Sequence, residues 1–213
     1  MFIIDFDDTL FNTRGRDGFI EARVRALEQL NINRKLYFQT YKSARNWNEQ
    51  MVYTSHRHAQ ELAKHGYDEE KIYQALEKTE AVEFLKQLII KDAESFLTKI
   101  KDLGQPMILL SSGESGFQNI KIKRTELDKY FDQILITRKP KEQVLDGIKE
   151  LAEQPKIWFV NNRVDETLAV KDKFDWFKYV LKQSEDISLS EYQSGGLPFF
   201  PNLTQIYEFI IKS

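Results

Sequence analysis

Three aspartates follow a short apolar run at the start of the chain. The run Phe2-Ile3-Ile4 is followed by Asp5-Phe6-Asp7 and then by Asp8-Thr9. A short apolar run that ends in acids indicates a buried strand that opens into a site. We expect the chain to turn directly after Asp5, because Asp8-Thr9 favours a turn, so that both Asp5 and Asp7 serve one site. The alternative is that these acids only cap the next helix or lie in solvent.

The order hydrophobic-Asp-x-Asp-x-Thr, here Ile4 to Thr9, resembles the first motif of phosphatases in the haloacid dehalogenase superfamily. The resemblance implies that Asp5 attacks the phosphorus of a monoester and forms an aspartyl-phosphate. It also implies that Asp7 protonates the leaving alcohol and then activates water. True haloacid dehalogenases lack this second Asp and need no metal, so Asp7 favours phosphoryl transfer. Thr9 is expected to contact the substrate.

A second apolar segment, Met107 to Leu110, ends in Ser111-Ser112-Gly113. In the family, a Ser or Thr at this strand end binds a phosphate oxygen, and Ser111 is the matching position. Ser112 and Gly113 are expected to add backbone N–H groups at the start of the next helix, where anions bind readily. The alternative is an ordinary strand-to-helix turn, in which Ser and Gly are common.

A lysine after the third strand is expected to neutralise the nucleophile and the phosphoryl oxygens. Lys139-Pro140 resembles the family's Lys-Pro signature, and Pro suits the first position of a helix. Lys139 is therefore the predicted catalytic lysine, and Lys141 is its competitor. The alternative is that these lysines are simply solvated. Lys121 and Lys123 belong to the preceding helix and are expected to lie elsewhere.

The fourth motif departs from the family pattern, which has Gly-Asp or Asp-Asp after the strand and another acid about one turn later. The chain has Asn161-Asn162 and then Arg163-Val164-Asp165-Glu166. The resemblance implies a Mg²⁺ site with ligands from four residues: Asp5, Asp7 (backbone carbonyl), Asn162 and Glu166. An amide brings no charge and hard cations favour carboxylates, so we expect weakened metal binding, partly compensated by Asp165 or Glu166. The alternative is that these two acids only suit the first turn of a helix.

Composition narrows the class of protein. The chain has 213 residues, 41% of them hydrophobic, a net charge of −2 and no cysteine. We expect a soluble cytoplasmic protein that is a monomer or a weak homodimer. No apolar stretch approaches the ~20 residues that span a bilayer, and a first strand at residue 2 leaves no room for a signal peptide. Without a basic excess, nucleic acid is not an expected partner.

Short apolar segments alternate with helical patterns over most of the chain. Strands are predicted at Met107 to Leu110, Gln133 to Thr137, Ile157 to Val160 and Trp176 to Leu181, in addition to the first. Helical stripes precede the second and fourth strands, a loop is predicted from Gln193 to Pro201, and a final helix from Asn202. This alternation predicts an α/β fold with a parallel sheet covered on both faces, whose site lies beyond the carboxyl ends of the strands. The resemblance implies a Rossmann-like sheet of about five strands with the first strand central.

The stretch between the first two motifs is far longer than a single crossover of about 30 residues. Helix-like patterns run through it, among them Tyr37 to Trp47, His56 to Lys64 and Glu69 to Lys78. We interpret residues 14–90 as an inserted α-helical cap, and residues 1–13 and 91–213 as the core domain. The position of the insertion resembles a C1 cap, as in phosphoglycolate phosphatase and its relatives. The alternative is an independent helical interaction module.

These patterns predict a Mg²⁺-dependent phosphatase that acts on a small phosphomonoester. Four residues are assigned to catalysis: Asp5, Asp7, Ser111 and Lys139. Three are assigned to the substrate: Thr9, Ser112 and Gly113. Because Asn161-Asn162 replaces the expected acids, the alternative is an inactive relative that keeps the fold for binding or regulation.

Overall fold

The computed structural model describes residues 1–47, 50–51, 53–148, 151 and 154–213. In chain order the strands are β1 (Phe2–Ile4), β2 (Asn46–Trp47), β3 (Gln50–Met51), β4 (Met107–Ser112), β5 (Gln133–Thr137), β6 (Trp158–Asn161), β7 (Lys178–Lys182) and β8 (Phe199–Phe200). Six of them form one parallel sheet in the order β5-β4-β1-β6-β7-β8, and β2 pairs with β3 in a separate antiparallel hairpin. The strand that carries the aspartates therefore lies inside the sheet, between β4 and β6.

Helices cover both faces of this sheet. In chain order they are α1 (Phe19–Glu28), α2 (Arg34–Arg45), α3 (Ser55–Ala63), α4 (Glu69–Lys78), α5 (Val82–Gln87), α6 (Ala93–Lys101), α7 (Ser115–Arg124), α8 (Lys141–Leu145), α9 (Val164–Lys173), α10 (Leu189–Ser194) and α11 (Leu203–Lys212). Phe2 and Ile4 pack with α6, α7 and α11 in one hydrophobic cluster. Ile3 packs with α8, α9 and α10 in the other, as expected for a strand whose side chains alternate between two buried faces.

The predicted α/β fold is confirmed, with six strands in place of about five. The segment Gln133–Thr137 is a strand as predicted, and the other predicted strands match within two residues at each end. Strand β8 lies in the segment predicted as a loop. Its two residues pair with Leu181 and Lys182. The final helix begins as predicted, because the side chain of Asn202 accepts a hydrogen bond from the backbone of Gln205 at 2.9 Å.

A helical insertion, formed by α1 to α4, separates the first strand from the rest of the core. Its helices share a third hydrophobic cluster that includes Val24, Leu62 and Leu76. The segments that enter and leave the insertion bond to each other: Asn12 N–H donates to Leu88 O at 2.8 Å, and Ile90 N–H donates to Leu10 O at 2.9 Å. The insertion is therefore joined to the sheet through one pair of adjacent segments.

The predicted helices of the insertion are present, with shifts of a few residues. The segment Glu69–Lys78 forms α4 as predicted, while α2 begins and ends earlier than the pattern Tyr37 to Trp47 indicated. Residues 48, 49 and 52 lie outside the described part of the chain. Phe19 of α1 and Leu85 of α5 belong to the cluster around β1, so both ends of the segment 14–90 pack against the core.

A buried arginine ties the helices of the insertion together. The Arg23 guanidinium donates hydrogen bonds to Tyr53 Oη at 2.6 Å, Ser55 Oγ at 2.7 Å and Thr79 Oγ1 at 3.2 Å. It also forms an ion pair with Glu80 at 3.2 Å. Arg23 lies on α1 and its partners lie at the start of α3 and at the end of α4, so the charge of Arg23 is buried at a point where three helices meet.

None of the described helices is long and apolar enough to cross a membrane.

His58 makes the stability of the insertion depend on pH. It is buried in α3, with Nε2 2.9 Å from Thr40 Oγ1 and Nδ1 3.0 Å from Tyr53 Oη. Burial, assisted by the positive charge of Arg23, lowers the pKa of His58 to about 3. Below the ordinary pKa of about 6.5, the unfolded chain binds a proton that the folded chain does not bind. Stability is therefore lost as the pH falls from about 6.5 toward 3.

We predict that His58→Gln reduces this pH dependence. From linkage, we expect the wild-type histidine to lower the free energy of unfolding by roughly 2 kcal/mol between pH 6.5 and pH 4.5. The variant lacks this contribution. Urea unfolding of both proteins at these two pH values measures it. The control is His65→Gln, which changes an exposed histidine and keeps the wild-type dependence. Equal losses in wild type and His58→Gln would contradict the prediction.

Candidate active site

The candidate site lies at the carboxyl ends of three adjacent strands. Asp5 follows β1, Ser111 lies near the end of β4, and Asn161 ends β6. Because β1 pairs with β4 on one side and with β6 on the other, these three positions meet at one edge of the sheet. All three residues are buried. The strands therefore bring these residues together at the carboxyl edge of the sheet, which is where the sequence predicts the site.

The Asp5 carboxylate is buried against an ammonium group. Lys141 Nζ donates to Asp5 Oδ1 at 2.6 Å, and Thr9 Oγ1 donates to Asp5 Oδ2 at 3.0 Å. Burial raises the pKa of Asp5, the charge of Lys141 opposes this, and Glu166 adds to the rise. Lys141 has its own pKa raised, because the attraction of Asp5 and Glu166 exceeds the opposing effect of burial. Lys141 therefore remains a cation that keeps the buried Asp5 carboxylate in place.

The lysine at Asp5 is Lys141, which corrects the assignment to Lys139. Lys139 is exposed, and its backbone N–H donates to Thr137 Oγ1 at 2.8 Å. Pro140 is the N-cap of α8, so Lys141 is the first residue inside the helix and its side chain enters the site. The residue at which α8 begins therefore decides which of the two lysines is buried.

The Asp7 carboxylate has its own set of partners on α7. Lys121 Nζ lies 2.5 Å from Asp7 Oδ1, and Gln118 Nε2 donates to Asp7 Oδ2 at 2.6 Å. Thr13 Oγ1 also donates to Asp7 Oδ1, at 2.5 Å. Burial on its own raises the pKa of Asp7. The charge of Lys121 and the hydrogen bonds from these three residues outweigh it, so the pKa lies below the ordinary value. Asp7 is held as a carboxylate.

The sequence did not indicate that Lys121 and Gln118 belong to the site. The prediction that Lys121 lies elsewhere is wrong, since its side chain is buried on Asp7. Its Nζ lies 5.5 to 5.9 Å from the ring centroids of four phenylalanines, which are Phe6, Phe11, Phe19 and Phe117. The spacing of Gln118 and Lys121, three residues apart on one helical face just after a motif strand, is a signal that could have found both.

A tight turn after Asp5 brings Asp7 into the site, as predicted. The backbone N–H groups of Thr9, Leu10 and Phe11 all donate to Phe6 O, at 3.3, 2.9 and 3.1 Å. Asp8 adopts a left-handed conformation with φ of 60°. Thr9 is buried by this turn with its hydroxyl on Asp5, so Thr9 positions the predicted nucleophile.

Asp8 itself lies behind the turn rather than in the site. Its Oδ1 accepts hydrogen bonds from the backbone N–H groups of Thr13 at 2.9 Å and Arg14 at 2.7 Å. Burial raises the pKa of Asp8 to about 6, even though these bonds lower it. The Asp8 side chain therefore fixes the start of the helical insertion relative to the aspartates.

Gln118 links the end of β4 to Asp7. Gln118 Nε2 donates to Ser111 Oγ at 3.1 Å and to Ser112 O at 2.8 Å, besides Asp7. Gly113 has φ of +154°, and a Cβ atom there would lie 2.8 Å from Cγ of Gln118. A larger residue at position 113 would thus displace Gln118. The predicted positions Ser111, Ser112 and Gly113 are brought together with Asp7.

The two amides after β6 face different partners. Asn161 Nδ2 donates to Thr167 Oγ1 at 3.2 Å, and Asn161 Oδ1 lies 3.4 Å from Lys141 Nζ. Asn162 Nδ2 donates to Ser184 Oγ at 3.4 Å. Glu166 on α9 reaches the site, with Oε2 2.9 Å from Lys141 Nζ, whereas Asp165 pairs with Arg163. Glu166, not Asp165, is the second acid of this motif in the site.

Oxygen ligands for a hard cation are present, but they carry little charge. Within the described ranges, no three His, Cys, Asp or Glu side chains are grouped so that they could hold a metal. Asp5 and Glu166 converge on Lys141, and the neutral amide oxygen of Asn161 lies 3.4 Å from the same ammonium, whereas the Asn162 amide donates to Ser184. Glu166 Oε2 is buried and has an ion pair but no hydrogen bond of ordinary geometry. Because Mg²⁺ is bound through one or two carboxylates and keeps several waters, this oxygen-only set fits it.

A cavity of about 360 Å³ lies beside Asp7. Asp7, Ser112, Gly113 and Lys121 line one end of it. Most of the remainder is lined by the helical insertion, chiefly by aromatic and arginine side chains of α1 and α2 and by Tyr53, and Phe117 of α7 also lines it. The site therefore opens into a space that is enclosed by the core on one side and by the insertion on the other.

Comparisons with known proteins agree with this arrangement. A family model described as haloacid dehalogenase-like hydrolase matches residues 1–176. A search of curated proteins found no match. Several solved structures are similar to the chain across almost its whole length, at identities that establish the fold alone.

Three of these structures show the range of the fold. A protein from Burkholderia xenovorans, assigned as a haloacid dehalogenase-like hydrolase, has a TM-score of 0.74 and 18% identity over 97% of this chain and 94% of its own. A protein from Thermotoga maritima, assigned as a β-phosphoglucomutase, has a TM-score of 0.66 and 15% identity over 99% of this chain and 98% of its own. The L-2-haloacid dehalogenase from Xanthobacter autotrophicus has a TM-score of 0.63 and 15% identity over 99% of this chain and 98% of its own. With the family model matching most of its length, the chain belongs to the haloacid dehalogenase-like hydrolases.

Proposed function

We propose that the protein hydrolyses a small phosphomonoester through an aspartyl-phosphate on Asp5. Structures of both a dehalogenase and a protein assigned as a phosphoglucomutase share the fold, so the fold does not select between these reactions. The observation that supports phosphoryl transfer is the second acid. Asp7 and the Ser111 hydroxyl both accept hydrogen bonds from Gln118 Nε2, and Asp7 lies in the wall of a cavity, where it can exchange a proton with a leaving group.

In the first step, an oxygen of the Asp5 carboxylate forms a bond to phosphorus while the bond to the leaving oxygen breaks. Lys141 neutralises the charge on Asp5, which lets an anionic phosphoryl group approach. Ser111 and the backbone N–H of Ser112 are assigned to the phosphoryl oxygens. The backbone N–H of Gly113 already donates to Thr137 O at 2.8 Å, which corrects the expectation that it binds the substrate. The leaving oxygen takes its proton from Asp7.

In the second step, water attacks phosphorus, Asp7 accepts a proton from the water, and the bond between phosphorus and Asp5 breaks to release phosphate. The ion pair with Lys121 holds Asp7 in the carboxylate form that this step requires. The first step requires the protonated form. A shift of Lys121 toward the phosphoryl oxygens would leave burial as the main influence on Asp7 and so favour its protonation.

Asp5, the Asp7 carbonyl, Asn162 and Glu166 are assigned to hold Mg²⁺. When bound, this cation would neutralise phosphoryl oxygens during transfer. The amide at position 162 supplies a neutral oxygen where a carboxylate would supply a charge, so the affinity for the metal is expected to be low.

The second candidate function is ligand binding without turnover. It is favoured by the pair Asn161-Asn162, which brings no acid to a position where the family pattern has one. Both candidates use the same cavity, so an activity assay separates them.

We predict that the wild-type protein hydrolyses at least one phosphomonoester in the presence of Mg²⁺ and that Asp5→Asn does not. Removal of a nucleophile costs about a thousandfold or more in rate. The measurement is phosphate release from p-nitrophenyl phosphate and a panel of phosphorylated metabolites. Equal rates for the two proteins would eliminate the enzyme and leave the binding function.

We predict that Lys141→Met lowers the rate constant kcat by about 10²-fold or more, because it removes a preorganised charge from the transition state. The matched control, Lys139→Met, changes an exposed lysine two residues before α8 and should alter kcat less than about twofold. Thermal melting of both variants checks that the fold is retained. A larger loss in Lys139→Met than in Lys141→Met would restore the assignment made from the sequence.

We predict that Asn162→Asp tightens Mg²⁺ binding and increases phosphatase activity. A charged ligand replaces a neutral one in a partly dehydrated site, where Coulomb attraction is stronger than in water. Calorimetric titration of Mg²⁺ into both proteins measures the effect without turnover. Asn161→Asp is the comparison, since its side chain faces Thr167 and Lys141. If neither variant changes the affinity, Glu166→Gln tests whether Glu166 already supplies the charge.

A further inference from the structure

The two oxygens of the Asp7 carboxylate have unequal numbers of hydrogen-bond donors. Oδ1 accepts from Lys121 Nζ and from Thr13 Oγ1, both at 2.5 Å. Oδ2 accepts from Gln118 Nε2 at 2.6 Å. A carboxylate oxygen accepts hydrogen bonds through two lone pairs. Both lone pairs of Oδ1 are therefore occupied, whereas Gln118 occupies one lone pair of Oδ2 and no other described residue donates to that oxygen.

The free lone pair makes Oδ2 the oxygen of Asp7 that can carry a proton. The Asp7 side chain is 20% exposed and lies in the wall of the cavity, so a leaving group can approach it. A proton on Oδ1 would have to displace the hydrogen bond from Lys121 or the one from Thr13. Oδ2 needs no such displacement, and its position depends on Gln118.

The Gln118 amide holds this oxygen in an orientation that cannot be reversed. Its Nε2 also donates to Ser112 O at 2.8 Å and to Ser111 Oγ at 3.1 Å. A carboxylate oxygen and a carbonyl oxygen can only accept, so the nitrogen of the amide must lie toward both. One side chain thus sets the distance between Oδ2 of Asp7 and the end of β4, where Ser111 is assigned to the phosphoryl group.

The remainder of the Gln118 side chain argues against a role in packing alone. The residue is 4% exposed, and its Oε1 has no hydrogen-bond partner within the described part of the chain. A buried acceptor without a partner is destabilising, so an apolar side chain would serve packing better. Gly113 leaves room for the amide, because a Cβ atom at position 113 would lie 2.9 Å from Nε2 of Gln118. What an apolar side chain at position 118 would lose is the set of hydrogen bonds from Nε2.

We propose that Gln118 is a positioning residue, which holds Asp7 so that Oδ2 gives its proton to the leaving group. As an oxygen of Asp5 forms its bond to phosphorus, the bond to the leaving oxygen breaks. The electron pair of the broken bond stays on the leaving oxygen, which takes the proton from Oδ2. This inference rests on the proposed phosphatase function, which supplies the roles of Asp5 and Asp7.

The acidity of the leaving alcohol tests this role. An alcohol that leaves readily as an anion needs little help from an acid, whereas a weakly acidic alcohol depends on that help. The substrates are p-nitrophenyl, phenyl and benzyl phosphate, in order of decreasing acidity of the leaving alcohol. The measured quantity is kcat/KM, which covers the steps up to the transfer to Asp5, so the later attack of water does not enter it.

Gln118→Met keeps the length of the side chain and removes the donor. We expect it to lower kcat/KM for benzyl phosphate by about tenfold to a hundredfold, since a misplaced acid loses much of a contribution of about 10²–10⁴-fold. The loss for p-nitrophenyl phosphate should be less than about threefold, because this ester needs the acid little. Gln118→Asn draws the same amide back by one methylene group and should show the same selectivity. Thermal melting checks that both variants keep the fold.

Two further variants provide the limits of the comparison. Asp7→Asn removes the acid itself, so its selectivity should change in the same direction as that of Gln118→Met and by more. Asn119→Leu changes the adjacent amide on α7, which is not among the described residues that line the cavity. It should lower kcat/KM for each of the three esters by less than about twofold.

Equal losses for the three esters in Gln118→Met would indicate a structural role and overturn the proposal. Unchanged values of kcat/KM, or the same selectivity in Asn119→Leu, would also overturn it. Failure of the proposed phosphatase function looks different. In that case the wild-type protein releases no phosphate from any of the three esters, and the role of Gln118 fails together with the function on which it rests.

Discussion

The arrangement depends on one buried ion pair, between Asp5 and Lys141. Asp5, at the end of β1, is buried, and a buried charge is strongly destabilising unless it is paired. The partner comes from α8, which follows β5 at the edge of the sheet, and Glu166 reaches the same ammonium from α9. Three segments distant in sequence must therefore be in place before the pair forms. The site is complete only when the sheet is complete.

Two aspartates two residues apart acquire opposite properties from their surroundings. Burial dominates at Asp5 and raises its pKa, even with Lys141 in contact. At Asp7 the same effect of burial is outweighed by Lys121 and by hydrogen bonds from Thr13 and Gln118, so its pKa is lowered. Pairs of acids whose environments separate their pKa values are typical of sites that divide the roles of nucleophile and base. The separation here comes from two helices, one for each aspartate.

The features that depend on a local sequence pattern could be predicted from the sequence. The run Phe2-Ile3-Ile4 with its acids located both the central strand and Asp5, because apolar runs and turn residues act over a few positions. The choice between Lys139 and Lys141 depended on where α8 begins, and a boundary is uncertain by more than the two residues that matter. Lys121 differs from Lys123 only in the tertiary contact that it makes. Strand β8 has two residues, too few to produce a period.

The charges of the acids and lysines in the candidate site determine what an amide at position 162 changes. Three acids, Asp5, Asp7 and Glu166, face two lysines in contact with them, so the pairs leave little excess negative charge. An aspartate at position 162 would add a charge that attracts a metal but repels a phosphate dianion, and at short range in a partly dehydrated site both effects are strong. With an amide at position 162, the attraction for a metal is weaker and the added repulsion of a phosphate dianion is absent. If the protein is the phosphatase that we propose, a site with this balance would retain the phosphate through Lys121 and Lys141, and would depend on the metal less for binding the substrate than for the transfer step.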